Sequence, residues 1–347
     1  MKKRNLFKAA LGLSLILAQP LAAVAAEETV VLRFSNWQPP AHFITTNMLV
    51  PWTQEVEQAT EGRVKIELTN PLGKPQAHLD LVRNGIADVG MSVHSYTASR
   101  FPLVEFAELP FTTEDSGINS QAYWDTYQKY MTDANEHRGV KLLGAWTSPA
   151  SVILTTKENV TSLQDLQGSK LRSPSPLFDE VSKQLGATPV TAPASEAYEM
   201  LSRGVIDGMY FQYDQIHNFK LDRLIKSVVA VPGGFGKTSQ YLFMNERKWN
   251  QLSPEDQAAI LKVSEKHIAT TFGEKWNQSE QNAIQSLTND GLHTYVIAGD
   301  ELTELKEKIA FLEQDWLKKA ASKNVDGPAA LEYYRQHIQA LSQNQTN

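Results

Sequence analysis

The residue with the clearest chemical potential is Arg172. It closes the run Lys170-Leu-Arg172, which reads as a short strand, and it leads into the turn Ser173-Pro-Ser-Pro176. In open α/β sheets, ligands bind beyond the carboxyl ends of strands. An arginine there presents a planar fork that matches a carboxylate through two parallel hydrogen bonds. Such a charge-assisted contact contributes roughly 1.5–3 kcal/mol. Micromolar binding needs about 8 kcal/mol, so apolar burial must supply much of the rest. On position alone, an ordinary surface ion pair accounts for such an arginine equally well.

Catalytic constellations are not found. There is no G-x-S-x-G, S-x-x-K or H-E-x-x-H motif. The run Gly233-Gly-Phe-Gly-Lys-Thr238 has the end of a phosphate loop, but the glycine required five positions before Gly236 is Val231. It reads instead as an interdomain crossing, where glycine supplies unusual dihedrals. The chain has no cysteine, which excludes disulfides, thiolate metal sites and a cysteine nucleophile. None of its eight histidines pairs with another at helical spacing. His42 and His94 lie beside predicted strand ends and are the better cleft candidates. A hydrogen-bonded structural histidine is the plainer reading of each. The acid pairs Glu114-Asp115 and Glu255-Asp256 suit helix starts or solvated turns. No metal, no cofactor and no enzymatic activity are expected.

The elements that must position Arg172 alternate along the chain. Strand-like runs at 30–34, 64–68 and 86–91 are separated by helical stretches at 48–60 and 78–84. Pro51 fits the first of those helices only in its opening turn. Strands are also expected within 140–156, at 170–172, 188–191, 228–231 and 241–245, with helices at 178–185 and 194–203. Ser253-Pro-Glu-Asp is a helix start, and 301–319 reads as one long amphipathic helix. This alternation argues an α/β fold with largely parallel sheets. Leu81-Val-Arg-Asn-Gly-Ile-Ala-Asp88 returns as Met200-Leu-Ser-Arg-Gly-Val-Ile-Asp207. Each copy reads helix, glycine in the left-handed closing position, strand start, aspartate. Two such copies suggest two similar domains.

Lys2, Lys3, Arg4 and Lys8 precede an apolar stretch at 9–18, and Ala23-Val-Ala25 fits a signal-peptidase site. Residues 1–25 are therefore expected to be a cleaved signal peptide, and the protein to be exported to the periplasm. The apolar run is shorter than the roughly 20 residues a membrane span needs, and no membrane insertion is expected after cleavage. Removal of that segment moves the net charge from −6 to about −10. A mildly acidic chain without a basic run is a poor nucleic-acid ligand, so no nucleic-acid partner is expected. The expected division is a first domain of 26–150 with about 239–283, and a second of 151–238 with about 284–347.

Taken together, Phe34-Ser-Asn-Trp37-Gln-Pro-Pro-Ala-His42, the stretch 81–90, Phe106-Ala-Glu-Leu-Pro-Phe111, the stretch 163–172 and Gly204-Val-Ile-Asp-Gly208 resemble a known family. It is the DctP-type solute-binding proteins of the tripartite ATP-independent periplasmic (TRAP) transporters. The resemblance implies a two-domain periplasmic binding-protein fold, type II-like, with crossing strands and a long helix. It implies a ligand cleft that closes by hinge motion, and delivery of a small organic acid to membrane permease subunits. It also implies that Arg172 holds the ligand carboxylate.

Two departures from the family pattern bear on the ligand. The second arginine that many members carry about twenty residues earlier is absent from 147–156. A commonly polar position after the second echo is occupied by the run Met209-Tyr210-Phe211. An unpaired buried polar group costs about 1–3 kcal/mol, so a less polar ligand is expected: an aromatic or branched-apolar monocarboxylate, such as a 2-oxo or hydroxy acid. Trp37, Trp146, Tyr210, Phe211 and Phe235 are the candidates for its apolar wall, and a monomer is expected. The alternatives are a periplasmic enzyme acting on an organic acid, or the binding component of a sensor or ABC system.

Overall fold

The structure, a computed structural model, describes residues 29–346, so the expected signal peptide lies outside the described residues. Eleven strands form two sheets among those residues. The strands are β1 (Val30–Ser35), β2 (Val64–Thr69), β3 (Val89–Val93), β4 (Val140–Thr147), β5 (Val152–Thr155), β6 (Lys170–Ser173), β7 (Thr188–Thr191), β8 (Gly208–Phe211), β9 (Ser227–Ala230), β10 (Ser239–Asn245) and β11 (His293–Val296). The first sheet has the order β2-β1-β3-β10-β4, and the second β11-β9-β5-β8-β6-β7.

Both sheets are parallel except for one inserted strand. β10 runs antiparallel to β3 and β4 in the first sheet, and β5 runs antiparallel to β8 and β9 in the second. These insertions follow from the way the chain changes sheets. It leaves the first sheet after Thr147 and enters the second at Val152; it leaves the second after Ala230 and returns at Ser239. The two crossings are hydrogen-bonded to each other. Ser148 N donates to Thr238 O at 2.9 Å, Ser151 N to Gly236 O at 2.8 Å and Phe235 N to Ser151 O at 3.0 Å. Gly234 has a φ of +76°, and a Cβ there would lie 2.5 Å from that of Ala150. The glycine run is thus a tight interdomain crossing. Its Lys237 side chain is buried and donates to Thr112 Oγ1 at 2.6 Å instead of facing a phosphate.

The burial pattern explains why these segments are strands. In edge strand β2, Val64 and Ile66 face the core while Lys65 and Glu67 face out, the period of a half-buried strand. β3, β5, β8 and β10 are buried at every position, as expected of inner strands covered on both faces.

Several boundaries differ from the sequence reading. β3 begins at Val89, because residues 84–88 close the preceding helix: Ile86 N donates back to Leu81 O at 2.9 Å. The helix expected at 48–60 spans Val50–Ala59, with Pro51 in its first turn as required, and is preceded by a wider turn over Ile44–Leu49. The helix expected at 301–319 is two helices, Gly299–Ile309 and Phe311–Ser322. The first packs against the helix Pro176–Gln184, whereas the second reaches the other half, where Trp316 Nε1 donates to Leu103 O at 2.9 Å. Separate partners require the break. Strand β11 gave no distinctive alternation, since it is a short edge strand between charged helices. The 24-residue helix Lys266–Asn289 packs along β4 and the helix Ser116–Tyr130, and touches Asp214–Asn218 from the second half.

Candidate functional site

The strand ends of the two sheets meet around a small cavity of about 40 Å³. Trp37 and Gln38 enter it just after β1, and Tyr96 just after β3. Arg172 comes from β6 with Pro174 behind it, and Phe211 and Gln212 come from the end of β8. The cavity thus lies beyond the carboxyl ends of parallel strands, where backbone groups and loop side chains converge. Thr238 and Gln240 close it from the returning crossing, and Trp276 from the long helix.

Arg172 is the only charged residue in this lining, and it is 2 % exposed. Its Nε donates to Ala192 O at 2.9 Å and its Nη1 to Tyr210 O at 3.2 Å. The guanidinium carbon stands 5.2 Å from the centre of the Phe211 ring. Among the described residues no carboxylate forms an ion pair with it. Burial holds its pKa below the ordinary value, against the pull of the neighbouring Tyr96 hydroxyl and of Glu196. Guanidinium nevertheless stays protonated in proteins. A buried cation with no carboxylate in ion-pair contact is unfavourable unless a partner arrives, so the arrangement can receive an anion.

The remaining wall is aromatic and amide in character. Trp37 is held by a hydrogen bond from Nε1 to Met91 O at 3.0 Å, and its ring lies 6.0 Å from that of Tyr96. Phe211 and Phe219 pack at 5.3 Å. Burial raises the Tyr96 pKa; its oxygen accepts from Ala194 N at 3.0 Å. Gln212 Nε2 donates to Ser148 Oγ at 3.1 Å and Ser151 Oγ at 2.9 Å, which ties the cavity floor to the first crossing.

The side chains singled out in the sequence are only partly gathered here. Arg172, Phe211, Trp37 and Tyr210 line the cavity. Tyr210 does so at its backbone, while its ring turns into the core against Phe178 and Phe235 and its hydroxyl accepts from Ser182 Oγ at 3.0 Å. His42 stands at the margin, where Nε2 faces Gln215 Oε1 at 3.2 Å and Nδ1 accepts from Ile44 N. Burial lowers its pKa to about 4. His94 follows the end of β3 as anticipated, but its ring points into the core beside Tyr241 and His137. Trp146 packs edge-on against Phe272, and Phe235 lies behind Tyr210; neither is in the cavity lining. The sequence reading missed Tyr96, Gln212, Gln215, Phe219, Gln240 and Trp276. Gln212 directly follows Phe211 and could have been found there, whereas Trp276 lies on a helix whose apolar spacing reads as ordinary core.

A larger open groove of about 690 Å³ runs between Leu109–Thr113 and the C-terminal helices. Its Arg335 is paired with Glu313 and no charge in it is buried, so nothing there demands an anion.

The family model for bacterial extracellular solute-binding proteins, family 7 (DctP), matches residues 34–320. The chain belongs to this family. It is thus one of the TRAP-type solute-binding receptors, whose members bind small organic acids outside the cytoplasm and work with membrane permease components. A curated relative, the outer membrane transporter protein TsaT of Comamonas testosteroni, is 29 % identical over 324 residues, or 93 % of this chain and 95 % of that one. A TRAP periplasmic solute-binding protein from Bordetella bronchiseptica, solved with bound (R)- and (S)-mandelate, is 36 % identical. Its match covers 90 % of this chain and 99 % of that one, with a TM-score of 0.87. A marine-metagenome TRAP solute-binding protein described as specific for aromatic acid ligands, solved with 3-hydroxybenzoate, is 30 % identical, covers 90 % and 99 % of the two chains, and gives a TM-score of 0.82. The two-sheet α/β architecture is that of these periplasmic binding proteins. Among the described residues no helix is long and apolar enough to cross a membrane.

Proposed function

We propose that this receptor captures an aromatic monocarboxylate between its two halves and presents it to a TRAP permease. The observation that carries the reading is Arg172: one buried guanidinium, with no carboxylate in ion-pair contact among the described residues, in a cavity lining otherwise free of charge and rich in aromatic rings and amides. One cation suits one carboxylate. A dicarboxylate would bring a second charge for which the lining has no cation, and desolvating an unpaired charge is costly. Phe211, Trp37, Phe219 and Tyr96 offer ring faces and edges to an aromatic ligand, a favourable arrangement for aromatic pairs. The relatives solved with mandelate and 3-hydroxybenzoate support the same class.

In this proposal Arg172 takes the carboxylate from the second sheet, and the loop 36–42 meets the ligand's other end from the first. In this reading the halves are 26–150 with about 239–283, and 151–238 with about 284–347, the helix Phe311–Ser322 of the last segment reaching over to pack on the first half. Contacts to both halves stabilise the closed form relative to the open one, which is how a ligand shifts such an equilibrium. The closed surface is what the permease would read. The receptor acts as an exported monomer, without catalysis.

The test is calorimetric titration of the mature protein with benzoate, mandelate, phenylacetate, succinate and gluconate, alongside Arg172→Ala. Binding of the aromatic acids to the parent protein, lost in the variant, is expected. Tight binding of succinate or gluconate with no response to the aromatic acids would overturn the reading.

A further inference from the structure

Four glutamines line the cavity, Gln38, Gln212, Gln215 and Gln240. Two of them are engaged with the protein. Gln212 directs its amide at Ser148 and Ser151. Gln215 donates from Nε2 to Asp214 Oδ1 at 2.6 Å, and its oxygen faces His42 Nε2. The oxygens of the other two are not. The carboxamide oxygens of Gln38 and Gln240 are both buried and have no hydrogen-bond donor. The Gln240 amide donates from Nε2 to Thr238 Oγ1 at 3.0 Å. Buried polar atoms are nearly always satisfied, so two unsatisfied acceptors on residues that line one cavity are open to a donor.

Both glutamines belong to the first sheet, Gln38 just after β1 and Gln240 on β10, whereas Arg172 belongs to the second. We propose that the single proton of a ligand hydroxyl is shared between the Gln38 and Gln240 oxygens as one three-centre hydrogen bond, so that the preferred ligand is an aromatic hydroxy acid and not the matching 2-oxo or unsubstituted acid. This rests on the reading that Arg172 anchors an aromatic carboxylate. A hydroxyl has a proton to give to these oxygens. A ketone has none, and its own oxygen would face theirs. An unsubstituted acid leaves both acceptors unmet, and a site built to hydrogen-bond a hydroxyl rejects analogues that lack it. Carboxylate held by one half and hydroxyl by the other would also tie hydroxyl recognition to closure.

The test is a ladder of matched acids titrated into the mature wild-type protein: mandelate, phenylglyoxylate and phenylacetate, then 3-hydroxybenzoate and benzoate. The first three differ only at the carbon next to the carboxylate, and the last two only on the ring, so the ladder locates the hydroxyl. The hydroxy acid of at least one set should bind 10-fold or more tighter than its partners. Gln38→Met and Gln240→Met, each checked for an unchanged far-UV spectrum, should narrow that preference to about 3-fold or less. Equal binding across both sets, or tighter binding of phenylglyoxylate, overturns the inference while leaving the Arg172 reading in place. The same holds for a preference that survives in both variants. Should no aromatic acid bind at all, the Arg172 reading itself falls and this inference falls with it. The comparison among ligands is made on wild-type protein and does not depend on the variants folding.

Discussion

His94 and His137 face each other through their Nε2 atoms at 3.0 Å, both buried in the first half of the molecule. One nitrogen must carry the proton and the other must accept it. The neighbours decide which. Glu108 Oε1 accepts from Ser239 N at 2.8 Å and from Ser239 Oγ at 2.6 Å, so the serine proton is committed to the carboxylate. Ser239 Oγ must then accept from His94 Nδ1, 3.1 Å away. His94 Nε2 is left as an acceptor for His137 Nε2–H, and His137 Nδ1 accepts from Tyr127 OH at 2.8 Å. The five groups form one directed chain, Tyr127 to His137 to His94 to Ser239 to Glu108, with both imidazoles neutral.

The chain fixes the tautomers. Ring-nitrogen NMR at pH 6 should show His94 protonated at Nδ1 and His137 at Nε2, with neither ring charged. Burial holds both well below the ordinary histidine range, His137 at about 3. An imidazolium at either position, or the reversed pair of tautomers, would contradict the chain. Replacing His94 with Phe should lower stability by about 1–3 kcal/mol, the cost of stranding a buried partner.

Glu108 gives the chain a pH signature. Burial lifts its pKa from 4.5 to about 7, against the lowering effect of the two Ser239 bonds; Glu105 raises it further and Lys319 opposes. Tyr123 also faces it. The folded state therefore holds the proton more tightly than the unfolded chain does. That contribution is complete below about pH 4.5 and is lost as pH rises through about 7. Glu108→Gln removes it while keeping the acceptor oxygen. The melting temperature of the wild type relative to this variant should fall between pH 4.5 and pH 8, by the equivalent of up to ~3 kcal/mol. A difference that is flat across this range would contradict the assignment.

Arg172→Lys tests geometry apart from charge. The guanidinium is aimed by its bonds to Ala192 O and Tyr210 O. Lysine keeps the charge but loses the planar fork and both anchors. Affinity for the aromatic acid should fall by about 10–150-fold, the equivalent of ~1.5–3 kcal/mol, measured by calorimetry. Unchanged affinity would mean that charge alone suffices.

A separate set of contacts joins the two halves beside the cavity. His42 meets Gln215, Phe43 N donates to Asn218 Oδ1 at 3.1 Å, and the His42 ring lies 5.2 Å from that of Phe219. His42 and Phe43 follow β1, whereas the other three follow β8. These contacts exist only when the halves meet at this margin. Gln215→Leu should speed ligand dissociation several-fold in stopped-flow measurements, with a smaller change in association, since interface changes act mainly on the off-rate. An unchanged off-rate would show that the contact does not hold the halves together.

Gly234→Ala tests the crossing. The positive φ costs a side chain roughly 1–2 kcal/mol, and the added carbon meets Ala150 at 2.5 Å. Thermal unfolding should begin several degrees lower than in the wild type. An equal melting temperature would show that the two crossings are less tightly joined than their hydrogen bonds imply.

The sequence alone carried the local and periodic features of this protein. Apolar alternation placed most strands to within a few residues. Ser253 and Pro254 marked a helix start where Ser253 Oγ accepts from Asp256 N at 3.0 Å. The paired Gly85 and Gly204 turns, both with positive φ, disclosed two similar halves. Arg172 stood out as a strand end before a proline turn, a local pattern that suits an ion pair equally well until the family resemblance is added, and Phe211 was singled out only as a departure from the family pattern.

What lay beyond reach depended on partners far away in the chain. Trp146 and Gln240 sit opposite each other on neighbouring strands, yet only the glutamine lines the cavity. Strand pairing and sheet packing decide which one. His94 turns from the cleft because Ser239, 145 positions later, offers its hydroxyl. The helix expected at 301–319 breaks because its two parts pack on different halves of the molecule. Side-chain direction and helix continuity are set by tertiary neighbours, and no local spacing encodes them.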